Sequence, residues 1–271
     1  MTAKPLKPNA WTGTQRAPLK VGLLGATGRM GVALQEAIAQ DETLDYVAGH
    51  SRHASEEDVP HTKLTPHPHE VFQKSAVVID FSLPSAALSH LALAVTHQTP
   101  YVLGVTGFET SPSKKLQEAG RTIPVLWAPN ASLGAVLMRV LARFAAQVFQ
   151  KHLPGEVTAS VLDRHHTQKK DAPSGTAKAL IGALKQAGFH DDPQVAAFRE
   201  GGLCGHHTLN FTHAHERLTL SHDNFDRHSL AVGALKAAKW LAGQPAGLYT
   251  MEDMLGLPVL HCSPSTDSPK T

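Results

Sequence analysis

Cysteine is nearly absent: Cys204 and Cys262 are the only two in 271 residues. So far apart, they form neither a disulfide framework nor a metal-ligand spacing, which fits a reducing compartment and predicts a cytoplasmic location. Charge of one sign is equally scarce. The formal net charge is +2, with 18% charged and 42% hydrophobic residues, which describes a globular protein without the basic field that nucleic acid requires. Residues 1–18 carry Lys, Arg, Pro and Thr but no apolar h-region, so neither a secretory signal nor a membrane span is expected there. They are expected to form a disordered tail, as are the Ser- and Pro-rich residues 263–271. Neither nucleic acid nor a membrane is an expected partner.

What is present is an alternation. Short apolar runs at residues 21–24, 46–48, 76–81, 101–103 and 125–127 are separated by helix-period segments at 30–40, 84–97 and 113–119. Continuous apolar strands between helices predict a parallel sheet covered on both faces, a doubly wound Rossmann-type α/β fold. After Asn130 the texture changes. A helix is predicted whose stripe is Leu133, Val136, Leu137, Val140, Leu141 and Phe144, with Ser132 as its cap. Alternating strands follow at 157–161 and around 209–211 and 218–220, with a turn near Ala214 and His215, so this part reads as α+β with a mixed sheet. A last helix at 230–241 is expected to return to the first domain. The predicted division is 19–130 with 228–262 as a dinucleotide-binding domain, and 131–227 as a substrate-binding and oligomerisation domain.

Gly25, Gly28 and Gly31 lie three residues apart, directly after a strand and at the start of a helix. In that setting Gly25 makes a tight turn, Gly28 lets the backbone approach a pyrophosphate, and Gly31 lets helix pack on strand. The expected cofactor is therefore NADPH or NADH, held by Gly25, Ala26, Thr27, Gly28, Arg29 and Met30. At the tip of the second strand an acid would hold the ribose of NAD, yet the chain reads Ser51-Arg52, which tolerates or favours a 2′-phosphate. Gly104, Val105 and Thr106 follow the fourth strand, and Ala128, Pro129, Asn130 and Ala131 the fifth. Strand ends are where ligands dock in such sheets, so both segments are expected to face the nicotinamide end.

The richest stretch is residues 165–177, His-His-Thr-Gln-Lys-Lys-Asp-Ala-Pro-Ser-Gly-Thr-Ala. It combines imidazoles that move protons near pH 7, ammonium groups that hold anions, and a helix start whose N–H groups grip a carboxylate. Asp171 and Pro173 are expected to shape the turn, the acid as a capping acceptor. Eighteen histidines raise the question of a metal. Adjacent side chains on a strand face opposite ways, so neither His165-His166 nor His206-His207 offers two ligands to one ion, and no metal site is expected.

Taken together, the glycine turn, Asp80-Phe81-Ser82, the segments 104–108 and 128–130, the 165–177 run and the stretch from Arg227 to Trp240 resemble the dihydrodipicolinate reductase family. The resemblance spans roughly residues 20–257. It implies a Rossmann domain, a substrate domain whose mixed sheet assembles a homotetramer, and reduction of a cyclic dicarboxylate in lysine and diaminopimelate synthesis by NADH or NADPH. It further implies that His165 is the proton donor and acceptor, Lys169 a second proton donor, and His166, Gly175 and Thr176 substrate ligands. Arg227 adds a cation for the substrate carboxylates.

The chain departs from the family pattern at several places. Ser51 replaces an acid, Val105 a Thr, Ala131 a Phe, Asp163-Arg164 a Glu-Ala, and His206 the Glu of Gly-Glu-His-Thr. Two other readings share this layout: an amino-acid dehydrogenase or similar Rossmann oxidoreductase, and a non-catalytic dinucleotide-binding protein. His165, Lys169, Gly175 and Thr176, all present, speak against the last.

Overall fold

A computed structural model describes residues 17–54, 63–108, 112–189 and 191–257, so most of the two expected tails lies outside the described residues. The chain divides into two compact units, one formed by residues up to Leu133 together with Arg227–Gly256, the other centred on Gly134–Asp226.

In the first unit the apolar runs become strands. In chain order these are β1 (Leu19–Leu24), β2 (Leu44–His50), β3 (Leu64–Thr65), β4 (Val77–Asp80), β5 (Tyr101–Leu103), β6 (Pro124–Trp127) and, from near the end, β11 (Gly247–Thr250). All pair in parallel, in the order β11-β6-β5-β4-β1-β2-β3. The reversal of order beside β1 is the switch point at which open α/β sheets bind ligands, beyond the carboxyl ends of the strands. Helices α1 (Arg29–Ala39), α2 (Pro68–Lys74), α3 (Pro84–Thr96) and α4 (Ser113–Ala119) connect the strands. Pro at the first turn of α2 and α3 starts each helix where its missing N–H loses nothing.

The returning helix is α7 (His228–Leu241), which packs on α1 and on strands β4 to β6. It seats through small residues: a Cβ on Gly233 would fall 1.8 Å from the Ala131 carbonyl oxygen. The short α8 (Met251–Met254) follows β11, with Thr250 and Asp253 forming a capping box. Strands β3 and β11 and helices α2 and α8 were not predicted. β3 and α8 are too short to show periodicity, and β11 has only Leu248 and Tyr249 as large apolar residues.

The second unit is a four-stranded mixed sheet with two helices packed on one face. Its strands are β7 (Thr158–His165), β8 (Gln194–Arg199), β9 (Gly205–Thr212) and β10 (Arg217–Asn224), in the order β10-β9-β7-β8. Only β7 and β8 run parallel. On β7 and β9 every second residue is buried, and those residues meet α5 (Leu133–His152) and α6 (Gly175–Gln186) in one core.

The predicted stripe of α5 holds at Val136 and Val140 and needs correction elsewhere. The buried positions are Ala135, Val136, Met138, Val140, Ala142 and Ala146, whereas Leu137, Leu141 and Phe144 are 45%, 43% and 53% exposed. Alanines let the helix axis approach the sheet closely, and the helix therefore turns its bulkier stripe outward. By length and composition α5 could also cross a membrane; its Ala-rich face instead closes the core of this unit.

Candidate active site

The first unit builds its site from missing side chains. Gly25, directly after β1, has φ +76°, and a Cβ there would sit 2.9 Å from the Phe81 carbonyl oxygen. The Gly28 N–H donates to the Gly25 carbonyl at 3.0 Å and closes the turn. Gly28 is the N-cap of α1, with no side-chain cap and no acid in the first turn, so the positive end of the helix is directed at the turn. A Cβ on Gly31 would lie 2.3 Å from Ala26 O and 2.4 Å from Gly25 O, and one on Gly104 would lie 2.3 Å from the Phe81 ring. Thr27, Gly28 and Arg29 are exposed and Met30 half-buried, while Ala26 is fully buried with its N–H bonded to His50 O at 3.0 Å. This is a backbone cradle at a helix N-terminus, which fits a dinucleotide pyrophosphate.

At the tip of β2, Ser51 is buried, its Oγ 2.8 Å from Thr27 Oγ1. The hydroxyl thus joins the strand tip to the glycine turn. Arg52 is exposed and donates from Nε to His53 Nε2 at 3.1 Å. At the end of β4, Asp80 is completely buried: it accepts the Ser82 N–H at 2.7 Å and the Tyr101 hydroxyl, and lies 2.8 Å from His90 Nδ1. Burial and the Asp80 carboxylate hold the Tyr101 hydroxyl far above its ordinary pKa. The Gly104 N–H donates to Asp80 O at 2.9 Å. Val105 and Ala131 are 3% and 1% exposed, so neither position presents a side chain to a ligand. Thr106 and Pro129 are exposed and Asn130 half-buried, its Oδ1 accepting the Ser132 N–H at 2.9 Å.

The second unit builds its site from side chains. The alternation of β7 that buries Ala159 and Val161 continues to Asp163 and His165. The antiparallel register sets Asp163 opposite His207 of β9, so all three groups share the core face. Asp163 is 0%, His207 3% and His165 6% exposed. Asp163 Oδ2 accepts the Ser174 N–H at 2.8 Å and Arg199 Nη2 at 3.2 Å, and Asp163 Oδ1 lies 3.0 Å from His165 Nδ1 and 3.2 Å from His207 Nε2. A Cβ on Gly205 would come within 3.1 Å of His165 Nε2, so glycine there leaves room for the ring.

Burial alone would raise the Asp163 carboxyl, but the bonds from Ser174, the His165 ring and the Arg199 guanidinium outweigh it and hold the pKa below the usual carboxylate value. Burial depresses His165; the Asp163 carboxylate opposes this, and Lys169 and Arg199 add to it. Burial, with the neighbouring His165, pushes His207 down to about 4.

Lys169 Nζ pairs with Asp171 Oδ1 at 2.8 Å, and Arg199 reaches the Asp171 carbonyl, which ties this loop to β8. The cap of α6 is Ser174, whose Oγ accepts the Ala177 N–H at 3.2 Å. Asp171 is therefore not the capping acceptor. That acid faces Lys169, and it is Asp163 that holds the cap residue's own N–H. Gly175 and Thr176 are the first two residues of α6, and Gly175 is exposed. The His166 N–H donates to Leu203 O at 2.7 Å. Arg227, at the head of α7, belongs to the first unit. Asp163, Arg199, Ser174 and His207 were not singled out as site residues. The signal that finds them is strand register: two strands carrying polar residues at core-facing positions must satisfy those groups against each other.

Residues 19–131 match the family described as "Dihydrodipicolinate reductase, N-terminus" and residues 134–255 the one described as "Dihydrodipicolinate reductase, C-terminus". The chain belongs to the dihydrodipicolinate reductase family. A 4-hydroxy-tetrahydrodipicolinate reductase of Thiobacillus denitrificans is 34% identical over 268 residues, covering 88% of this chain and 99% of that protein. One of Pseudoalteromonas translucida is 35% identical over 266 residues, covering 88% and 98%. The dipicolinate-bound dihydrodipicolinate reductase from Paenisporosarcina sp. TG-14 shares the fold, with a TM-score of 0.73, 22% identity, and coverage of 86% of this chain and 97% of that one. GenD2 from gentamicin A biosynthesis, solved in complex with NAD, has the same general fold at a TM-score of 0.57 and 15% identity, over 93% of each chain. The family resemblance and the Rossmann-plus-mixed-sheet fold read from the sequence are both borne out.

Proposed function

We propose that the chain reduces 4-hydroxy-tetrahydrodipicolinate, by way of dihydrodipicolinate, to tetrahydrodipicolinate in lysine and diaminopimelate biosynthesis. The observation that carries this reading is the head of α6: one buried carboxylate, Asp163, both fixes the helix start and lies beside the His165 ring. Family membership supports it along nearly the whole chain.

The backbone cradle of residues 25–30 holds the pyrophosphate of NADPH or NADH, with the segments at 104–106 and 128–131 beside the nicotinamide. When bound, that cofactor supplies a hydride to C4 of the unsaturated substrate ring. The chain's own part is to bind two carboxylates and deliver a proton. The Gly175 and Thr176 N–H groups meet one carboxylate at the positive end of α6. His166, Lys169 and Arg227 add donors and charge.

His165 is held mainly neutral at rest, because burial and the nearby cations outweigh Asp163. A dianionic substrate reverses that balance and raises its affinity for a proton. His165, with Lys169 as a second donor, then quenches the electron density built at C3 and the ring nitrogen. At the β2 tip, Ser51-Arg52 in place of an acid supports acceptance of NADPH. A homotetramer formed through the open face of the mixed sheet, working in the cytoplasm, completes the reading; Phe198, exposed on the edge strand β8 and paired in register with Arg164 on that face, supports it.

The test is a coupled assay. Purified protein is expected to oxidise NADPH or NADH only when the product of dihydrodipicolinate synthase is supplied. Cofactor oxidation without that product, or none with it, overturns the proposal.

A further inference from the structure

Asp163, His165 and His207 form the one cluster among the described residues in which a carboxylate and two imidazoles bring their ligand atoms within 4.8 Å of one another. Taken alone, each histidine pair on a strand offers a metal only one ligand, because its second ring faces the other way. Pairing of β7 with β9 takes one member from each pair and adds an acid from the same face.

Three features set this cluster apart from a hydrogen-bonded one. Asp163 Oδ2 is satisfied by Ser174 and Arg199, yet Oδ1, equally buried, makes no hydrogen bond. His165 Nδ1 is likewise buried and without one, although it stands only 3.0 Å from Oδ1. At that distance the two atoms are close enough for a hydrogen bond but not aligned for one, so both are left free to take another partner. The separations of 3.0 and 3.2 Å from Oδ1 to the two ring nitrogens also approach the edge of about 3.3 Å expected for a tetrahedron with bonds of roughly 2.0–2.1 Å.

We infer that Asp163 Oδ1, His165 Nδ1 and His207 Nε2 form an inhibitory binding site for a late divalent transition metal of the Zn2+ class. Two imidazoles and one carboxylate suit Zn2+, Co2+, Ni2+ or Cu2+, whereas Mg2+ and Ca2+ take oxygen ligands. The bonds on Asp163 Oδ2 are the outer-shell support that orients a ligating carboxylate. Ser174 Oγ, 3.1 Å from His207 Nε2, keeps its bond to Ala177 but has to turn its proton away from the ring. A metal in this site fixes the His165 ring and stops the proton transfer assigned to it. The inhibitory half of the inference rests on the proposed function; the binding half does not.

The test uses the full chain after treatment with a chelator. Titration with CoCl2 is followed by the visible absorption of the bound ion, and cofactor oxidation is measured in parallel samples with CoCl2 or ZnCl2. One equivalent is expected to give a spectrum of a nitrogen- and oxygen-bound, low-coordinate ion and to suppress turnover. His207→Gln is expected to weaken Co2+ at least about tenfold. Equal Co2+ affinity in the two proteins overturns the site.

Because His207 is buried, a second measurement needs no variant: a crystal of the wild-type chain soaked in one equivalent of ZnCl2, read by anomalous scattering at the zinc edge. A peak between the three ligand atoms supports the site. Density only elsewhere, for instance at the His206–Asp223 pair, overturns it. Bound Co2+ with undiminished turnover refutes the inhibitory half alone. If no reductase activity exists at all, the spectrum and the anomalous peak still decide the metal.

Discussion

In the first unit the functional surface is backbone that glycine leaves uncovered, whereas in the second it is side chains that strand pairing drives together. The glycine cradle tolerates no added atom: a Cβ on Gly31 would strike two carbonyl oxygens. The Asp163 cluster is sensitive to a lost atom, because its buried carboxylate is compensated for leaving water by a few named partners, Ser174, Arg199 and the two imidazoles beside it. A phosphate site of the first kind is available to any dinucleotide enzyme. The second kind sets protonation states and therefore carries the choice of reaction.

Four measurements sharpen or break this contrast. The largest effect is expected from His165→Asn or Lys169→Met, each lowering kcat by about 10²–10⁴-fold while cofactor affinity, read by fluorescence titration, stays unchanged. A parallel loss of cofactor binding would dissolve the division of labour between the units.

Next is the pH dependence of stability. His207 has a pKa of about 4 when folded against an ordinary 6.5. Between those values the unfolded chain binds the proton and the folded one does not, so stability is lost as pH falls from 6.5 toward 4, by up to ~3 kcal/mol. Urea denaturation across this range is expected to show the decline, and His207→Gln to flatten it.

Third, Gly31→Ala is expected to destabilise the first unit by about 1–3 kcal/mol through overpacking and to weaken the cofactor, with the intrinsic proton chemistry untouched. Calorimetry and cofactor titration read the two parts. The smallest effect belongs to Arg52→Ala, an exposed cation, which is expected to shift the NADPH-to-NADH preference toward NADH by about three- to tenfold. No shift would mean that Arg52 does not contact the 2′-phosphate.

The first unit was legible because its signals are local. Apolar runs predicted β1, β4, β5 and β6, and glycine spacing located the turn that the φ of +76° at Gly25 now explains. The second unit was legible where chemistry is contiguous, as in residues 165–177, and opaque where it is assembled across the sheet. His207 lies 42 positions after His165, and nothing in either local pattern says that both face Asp163; only the register does. Arg199, on a strand that was not predicted, was missed for the same reason. Periodicity also misjudged α5. A period of 3.6 residues finds an apolar stripe, but here small residues on a neighbouring stripe gave the closer contact, and close contact decided which face was buried.

The pairing of β7 with β9 also constrains how the chain can change length. A single residue inserted between Thr158 and His165, or between Gly205 and Thr212, would exchange inward for outward along the rest of that strand. Asp163 and His165, or His207, would then face the open side of the sheet, with Arg164 or His206 brought inward. Insertions and deletions are therefore confined to connections such as residues 200–204 and 213–216. Within the two strands the chain can exchange one side chain for another, but it cannot gain or lose a position and keep its chemistry.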